Sequence, residues 1–264
     1  MSLKEKLMNS LFLKTFNLIK KQPKFLIFAL AFDFLFVASV YGIGFLMGVL
    51  IPANIFSAGP LNAKMILAIL LPLIVYPLIL LLAYSFFKHV ILNFVKSLIN
   101  DEPLSFKRFS EFYFLNLIIF SAIGLVTIVI GIFLRRIANQ QAFSIVYMIT
   151  ITLIFIFSYT WVNISHSIFT DGKSIKETIL KSYMPVFNKI HSYLPVIIFS
   201  VIFLLAFNGV FYILAMPFKS WVFSHPTAYA TIFKAISFIT IYLTFMFNRL
   251  YFYLITKEKL GSSS

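Results

Sequence analysis

Six runs of about twenty or more apolar residues, spread along the whole chain, decide most of what it can become. They cover Phe25–Leu50, Met65–Phe87, Phe114–Leu134, Phe143–Phe169, Val196–Met216 and Ile232–Ile255. At about 1.5 Å of rise per residue, a helix of that length crosses roughly 30 Å of hydrocarbon. Lipid offers the backbone no hydrogen bonds, so a continuous apolar span must satisfy its own amides as a helix. The expected fold class is an all-α integral membrane protein with six transmembrane helices. Composition points the same way. The 264 residues are 61% hydrophobic and 11% charged, against roughly 45–50% and 25% in soluble domains. The 34 Phe and 13 Tyr suit helices that face acyl chains and end in aromatic belts.

Prolines punctuate the runs. Pro23 and Pro195 stand where helices begin, Pro52 and Pro217 follow spans that end, and Pro72 with Pro77 predicts a kinked second span. Lys4, Lys6 and Lys14 break up the N-terminal apolar residues, which argues against a signal peptide. Gly261-Ser262-Ser263-Ser264 resembles a cloning remnant.

Orientation follows from the cations. The side of the N-terminus carries Lys4, Lys6, Lys14, Lys20, Lys21 and Lys24 before the first span. The second loop adds Lys88, Lys96, Lys107 and Arg108; the fourth adds Lys173, Lys176, Lys181 and Lys189; the C-terminal end adds Arg249, Lys257 and Lys259. The opposite side keeps only Lys64, Arg135, Arg136, Lys219 and Lys234. Positive charge is retained in the cytoplasm, so both termini are expected there, in a multi-pass protein of the cell (plasma) membrane. The same dispersal accounts for the net charge of +14 and argues against nucleic acid, which would need a continuous soluble patch.

From Leu3 to Ile19 the apolar residues Leu3, Leu7, Met8, Leu11, Phe12, Phe16 and Ile19 recur at helical spacing above a basic polar face. That pattern predicts an interfacial amphipathic helix over 3–20, capped by Ser2 and Glu5 and lying in the headgroup plane as an anchor for the first span. Ser2-Leu3-Lys4-Glu5 is echoed by Ser174-Ile175-Lys176-Glu177 and more weakly by Ser105-Phe106-Lys107-Arg108. The chain therefore reads as one membrane domain over 1–260, built of three parallel units (1–100, 101–170, 171–260). Each unit is an amphipathic helix followed by two spans.

The stretch from Asp171 to Ser182, a turn leading into an amphipathic helix, resembles a signature found in a broad set of prokaryotic six-helix membrane families. Among them is the membrane domain found beside glycerophosphoryl diester phosphodiesterases. The ending Arg249-Leu250-Tyr251-Phe252-Tyr253-Leu254-Ile255 before Lys257 is similar to theirs. The resemblance implies a six-helix fold and brings no catalytic residues, because the phosphodiesterase chemistry of such fusions sits in a separate soluble domain.

Catalytic signatures are absent from the sequence. There is no cysteine, which removes disulfides, thiolate metal sites and thiol nucleophiles. No phosphate-binding Gly-Lys loop, nucleophile elbow, paired-His zinc signature or dinucleotide fingerprint occurs, so no cofactor and no metal is expected. His166 and Asp171 match the His-x4-Asp spacing of glycerolipid acyltransferases, a spacing that chance supplies readily.

Depth is the better signal. Asp33 lies nine residues beyond Lys24, about 13 Å into the first span, and is the only carboxylate within any of the six runs. Lys88, Asn163 and Arg249 each lie about 12 Å from a cytoplasmic marker, and His166 shares the helical face of Asn163. An ionisable group inside a span costs about 2.5–3.5 kcal/mol near the centre on insertion scales, so such groups pair or line a wet cavity. The expected ligand-binding set is a polar pocket open to the cytoplasmic half, lined by Asp33, Lys88, Asn163, His166, Asn248 and Arg249. The plainer alternative is a buried ion pair that fixes helix register, with Lys88 and Arg249 snorkelling. Gly44 and Gly48, spaced four apart, are expected to serve helix packing first and a homo-oligomer second.

The function these residues favour is non-enzymatic: transport or binding of a small or lipidic solute within the lipid bilayer. The competing reading is a scaffold docking a partner protein on its basic amphipathic helices. An intramembrane lipid-modifying enzyme is the weakest reading, since one buried carboxylate lacks an acid–base partner.

Overall fold

The computed structural model describes residues 10–50, 66, 70–100, 102–137 and 139–260. Among the described residues there are helices and turns and no strand. The helices are α1 (Leu11–Lys21), α2 (Pro23–Leu50), α3 (Tyr76–Asn100), α4 (Phe109–Leu134), α5 (Gln140–Thr170), α6 (Ile175–Asn188), α7 (Ile190–Ala215), α8 (Lys219–Ser224) and α9 (Pro226–Ile255). Six of them, extended by short turns, are long and apolar enough to cross a membrane: Pro23–Val49, Pro72–Asn100, Phe109–Leu134, Gln140–Thr170, Ile190–Ser224 and Pro226–Glu258.

Their exposure identifies the solvent. The most apolar window of Phe109–Leu134 has a mean hydropathy of 2.9, yet only 6% of it is buried. In Gln140–Thr170 none of the corresponding window is buried. Large side chains such as Leu125, Ile128, Leu153 and Leu205 stand outward. Water would penalise such a surface at about 25 cal/mol per Å², whereas hydrocarbon does not. The chain has the make-up of a multi-pass membrane protein.

Helix ends follow local chemistry. Ser10 caps α1, its hydroxyl accepting from the Leu13 amide at 3.3 Å, while Lys20 and Lys21 sit at the negative end of the helix dipole. Asn139 caps α5 through the Ala142 amide at 3.0 Å. Between α5 and α6, Gly172 takes φ 95°, a left-handed turn that costs glycine nothing. Ser174 and Glu177 then close a reciprocal capping box on α6. Leu71–Val75, which contains Pro72, forms a π-helical turn ahead of α3, where the missing proline N–H is absorbed.

Three expectations shift. The second span continues to Asn100, well past the expected Phe87, because α3 carries Lys88, His89, Asn93 and Lys96 without breaking. A hydropathy count ends at the first lysine; helical hydrogen bonding does not. The amphipathic segment begins as a helix at Leu11 on the Ser10 cap, and the Ser2–Glu5 pattern lies outside the described residues. The Ser105 copy of the repeat starts no amphipathic helix. Residues 102–106 have no regular secondary structure, Lys107 and Arg108 form a turn, and α4 begins directly at Phe109.

The chain divides into two compact units, residues 1–30 with 139–264, and residues 31–138. In the first, α9 is the centre. It packs on α5, on α7 and on α1, whose Phe12 ring meets Phe199 at 4.5 Å and Phe247 at 4.9 Å. Lys14 pairs with Glu258 at 3.1 Å, so α1 and the C-terminal end lie together. In the second, α3 and α4 form an antiparallel pair, and α2 reaches α3 through Phe32 and Phe36 against Phe87 and Tyr84.

Candidate functional site

Burial in each span is concentrated at one end. In the first unit it covers Thr160–Phe169 of α5, Ser192–Ser200 of α7 and Thr240–Ile255 of α9. In the second it covers Ser85–Val95 of α3 and Phe112–Ile119 of α4. Polar side chains gather at these tight ends, where each must find a partner, because an unpaired polar group in an apolar surrounding costs several kcal/mol.

In the first unit Asn248 links three helices. Its Oδ1 accepts from the Ser200 hydroxyl of α7 at 3.0 Å, and its Nδ2 donates to the Tyr159 hydroxyl of α5 at 2.9 Å. Arg249 follows Asn248 on α9 and is half-buried. Asn163 donates to the carbonyl of Tyr159 at 2.7 Å, within its own helix. His166 is fully buried, and its backbone carbonyl accepts from Thr170 at 2.7 Å. A second network ties α6 to α5: Trp161 donates to the Ser182 hydroxyl at 3.0 Å, and Ser165 reaches the same oxygen at 2.8 Å. Tyr251 donates to the Ser192 carbonyl at 2.9 Å, Tyr253 donates to Asp171 at 2.6 Å, and Tyr193 donates to the Val186 carbonyl. With Asp171 engaged as an acceptor for Tyr253, the His166–Asp171 spacing has a structural explanation.

In the second unit Asn116 of α4 donates to the Ser85 hydroxyl of α3 at 2.9 Å. Asp33 of α2 and Lys88 of α3 are both buried, and both have interaction partners. Next to Lys88, His89 is 6% exposed, with its ring 5.2 Å from that of Phe112 and 6.1 Å from that of Phe109. Its Nε2 has no hydrogen-bond partner among the described residues. Buried polar atoms left in that condition are uncommon and mark strained or functional positions.

The six residues expected to bind solute are therefore divided. Asp33 and Lys88 belong to the unit of 31–138; Asn163, His166, Asn248 and Arg249 belong to the other. Asn248 is occupied in holding three helices together, while the amide of Asn163 donates within its own helix. Tyr159, Ser200 and the Trp161–Ser165–Ser182 network were missed in the sequence, because Ser and Tyr barely lower a hydropathy average and look like any span residue. His89 was not singled out in the sequence; its adjacency to Lys88 was the available signal. Gly44 has the Tyr76 hydroxyl at an ordinary 3.7 Å from where a Cβ would stand, while the equivalent point at Gly48 meets nothing within 4 Å among the described residues. No group of three or more His, Asp or Glu able to hold a metal occurs among the described residues. No family model, curated protein or solved structure matches the chain.

Proposed function

We propose that this protein binds, and moves across the membrane, a small or lipidic solute that enters from the cytoplasmic side, through the ionisable groups buried at the tight end of its spans. One observation carries the reading. Asp33, Lys88 and His89, an acid and two bases, are buried within the spans of a single unit whose antiparallel packing already has the Asn116–Ser85 bond to hold it. Buried charge in a span is costly, and the fold does not need three such groups to keep its register. An anionic solute would meet Lys88, with Asp33 as the counter-charge left behind. Both termini then face the cytoplasm of the plasma membrane, as the cation distribution expects.

The test uses ligand-induced thermal stabilisation of the detergent-solubilised protein, screened against panels of anionic metabolites and phospholipids. A binder raises the wild-type midpoint, and Asp33→Asn and Lys88→Gln fold with wild-type helix content but lose the shift. Variants that keep the shift, or that merely unfold, contradict the proposal and favour an ion pair that fixes helix register.

A scaffold role has its own observation. Helix α6 turns Thr178, Ser182 and Val186 inward and presents Leu180, Met184 and Phe187 outward beside Lys176 and Lys181. A partner reading predicts that Leu180→Ser abolishes a defined complex while Asp33→Asn leaves it intact.

A further inference from the structure

At the end of α7 and α9 away from their buried polar residues, the helices stand apart around a cavity of about 520 Å³. Its walls include Phe211 and Ala215 from α7, Phe218 from the turn that follows, Trp221 from α8, and Tyr229 and Ile232 from α9. The sequence explains why it stays open. Pro217 ends α7 in a tight 3-10 turn, α8 runs for only six residues, and Pro226 starts α9 afresh, so α8 acts as a crosspiece between the two spans. Phe211 sets the floor, with its ring 5.8 Å from Tyr229 and 5.0 Å from Phe233.

The wall chemistry selects the occupant. No charged side chain lines the cavity, and water needs two to four polar partners to remain in such a space. An apolar hollow bathed in lipid gains contact energy only when hydrocarbon fills it. The chemistry of α8, which supplies Trp221 to the wall, adds direction. Lys219 opens α8 and lies over the Phe223 ring at 5.8 Å, and no Asp or Glu occurs anywhere between Lys189 and Glu258 to neutralise it. Trp221 stacks on His225 at 5.5 Å, an amphipathic pair of the sort that settles at headgroup depth.

We propose that this cavity binds one acyl chain of a membrane phospholipid, with the lipid phosphate held at Lys219. The site shares no residue with the polar end of the spans, so it is independent of solute binding there.

The experiment reconstitutes the protein in vesicles of equal parts phosphatidylcholine and phosphatidylglycerol, extracts it in mild detergent, and weighs it intact by native mass spectrometry. The wild type retains one phospholipid per chain after the annular lipid is stripped. Ala215→Trp and Ile232→Phe, which fill the cavity, lower the retained fraction by roughly tenfold, and Lys219→Gln lowers it less. A wild-type readout that needs no variant accompanies these: a phospholipid with a photoactivatable acyl chain crosslinks preferentially to peptides of α7, α8 and the start of α9, ahead of the equally exposed face of α4. Retention of detergent alone, a dimer carrying no lipid, filled variants that fold and still retain lipid, or crosslinks spread evenly over the exposed helices would each overturn the proposal.

Discussion

Asn248 uses its amide in both directions, accepting from Ser200 and donating to Tyr159, so one side chain ties α9 to two neighbours. Interhelical hydrogen bonds in membranes average about 0.6 kcal/mol, but removing one partner also strands the others, and that adds about 1 kcal/mol or more. Asn248→Leu is therefore expected to lower stability by about 1–2 kcal/mol in SDS-titrated unfolding from mixed micelles. Tyr159→Phe costs less, and the double variant is less than additive. Additivity would show that the bonds are not coupled. Arg108 presents the opposite balance. It holds φ 68°, a left-handed conformation worth roughly 1–2 kcal/mol against a residue with a Cβ, and its guanidinium makes a half-buried ion pair to Glu111 at 2.7 Å. A pair three residues apart on one helical turn contributes about 0.2–0.5 kcal/mol. Arg108→Gly is expected to stabilise the protein by about 1 kcal/mol in the same assay; a loss of stability would mean that Arg108 has a larger task than starting α4.

At the scale of elements, α6 is the clearest case of sequence dictating structure, since Ser174 and Glu177 make the capping box that their spacing predicts. The Ser174 amide and hydroxyl, aided by the charges of Lys173 and Lys181, hold the Glu177 carboxyl below its ordinary 4.5. A lowered carboxyl stabilises the folded form at pH above the ordinary value, and that contribution is lost as pH falls through the lowered one. Amide-exchange protection of α6, corrected for intrinsic rates, should hold from neutral pH to about 5 and decline only in stronger acid. Glu177→Ala should remove the acid step and lower protection at neutral pH. A step centred above the ordinary value would contradict the capping geometry. The same spacing logic failed at Ser105, where the chain takes an irregular approach and a left-handed residue at Arg108 instead. A capping pattern marks where a helix can start; here Lys96 pairs with Glu102 and Arg108 with Glu111, and α4 starts only at Phe109. Helix α1 was legible as amphipathic, but not that its apolar face would meet the rings of Phe199 and Phe247. Such contacts join residues 187 and 235 positions apart, and nothing local records them.

For the whole molecule, the six spans were readable because hydrocarbon imposes one requirement on every residue of a crossing helix, and apolar length alone reports it. The polar ends were readable only in outline. Asp33, Lys88, Asn163, His166, Asn248 and Arg249 all proved to lie within helices, and all but the half-buried Arg249 are buried. Which of them hold helices together, and which remain for a solute, depends on partners such as Tyr159 and Ser200 that no hydropathy count distinguishes. The central claim is six crossings with both ends of the chain in the cytoplasm, and the absence of cysteine makes it directly testable. Single cysteines at Ser10, Ser105, Lys173, Asn139 and Ser220 can be probed with a membrane-impermeant maleimide in intact and in lysed cells. The expected result is labelling of Asn139→Cys and Ser220→Cys in intact cells, with Ser10→Cys, Ser105→Cys and Lys173→Cys labelled only after lysis. The reverse pattern, or equal labelling of both sets in intact cells, would contradict it.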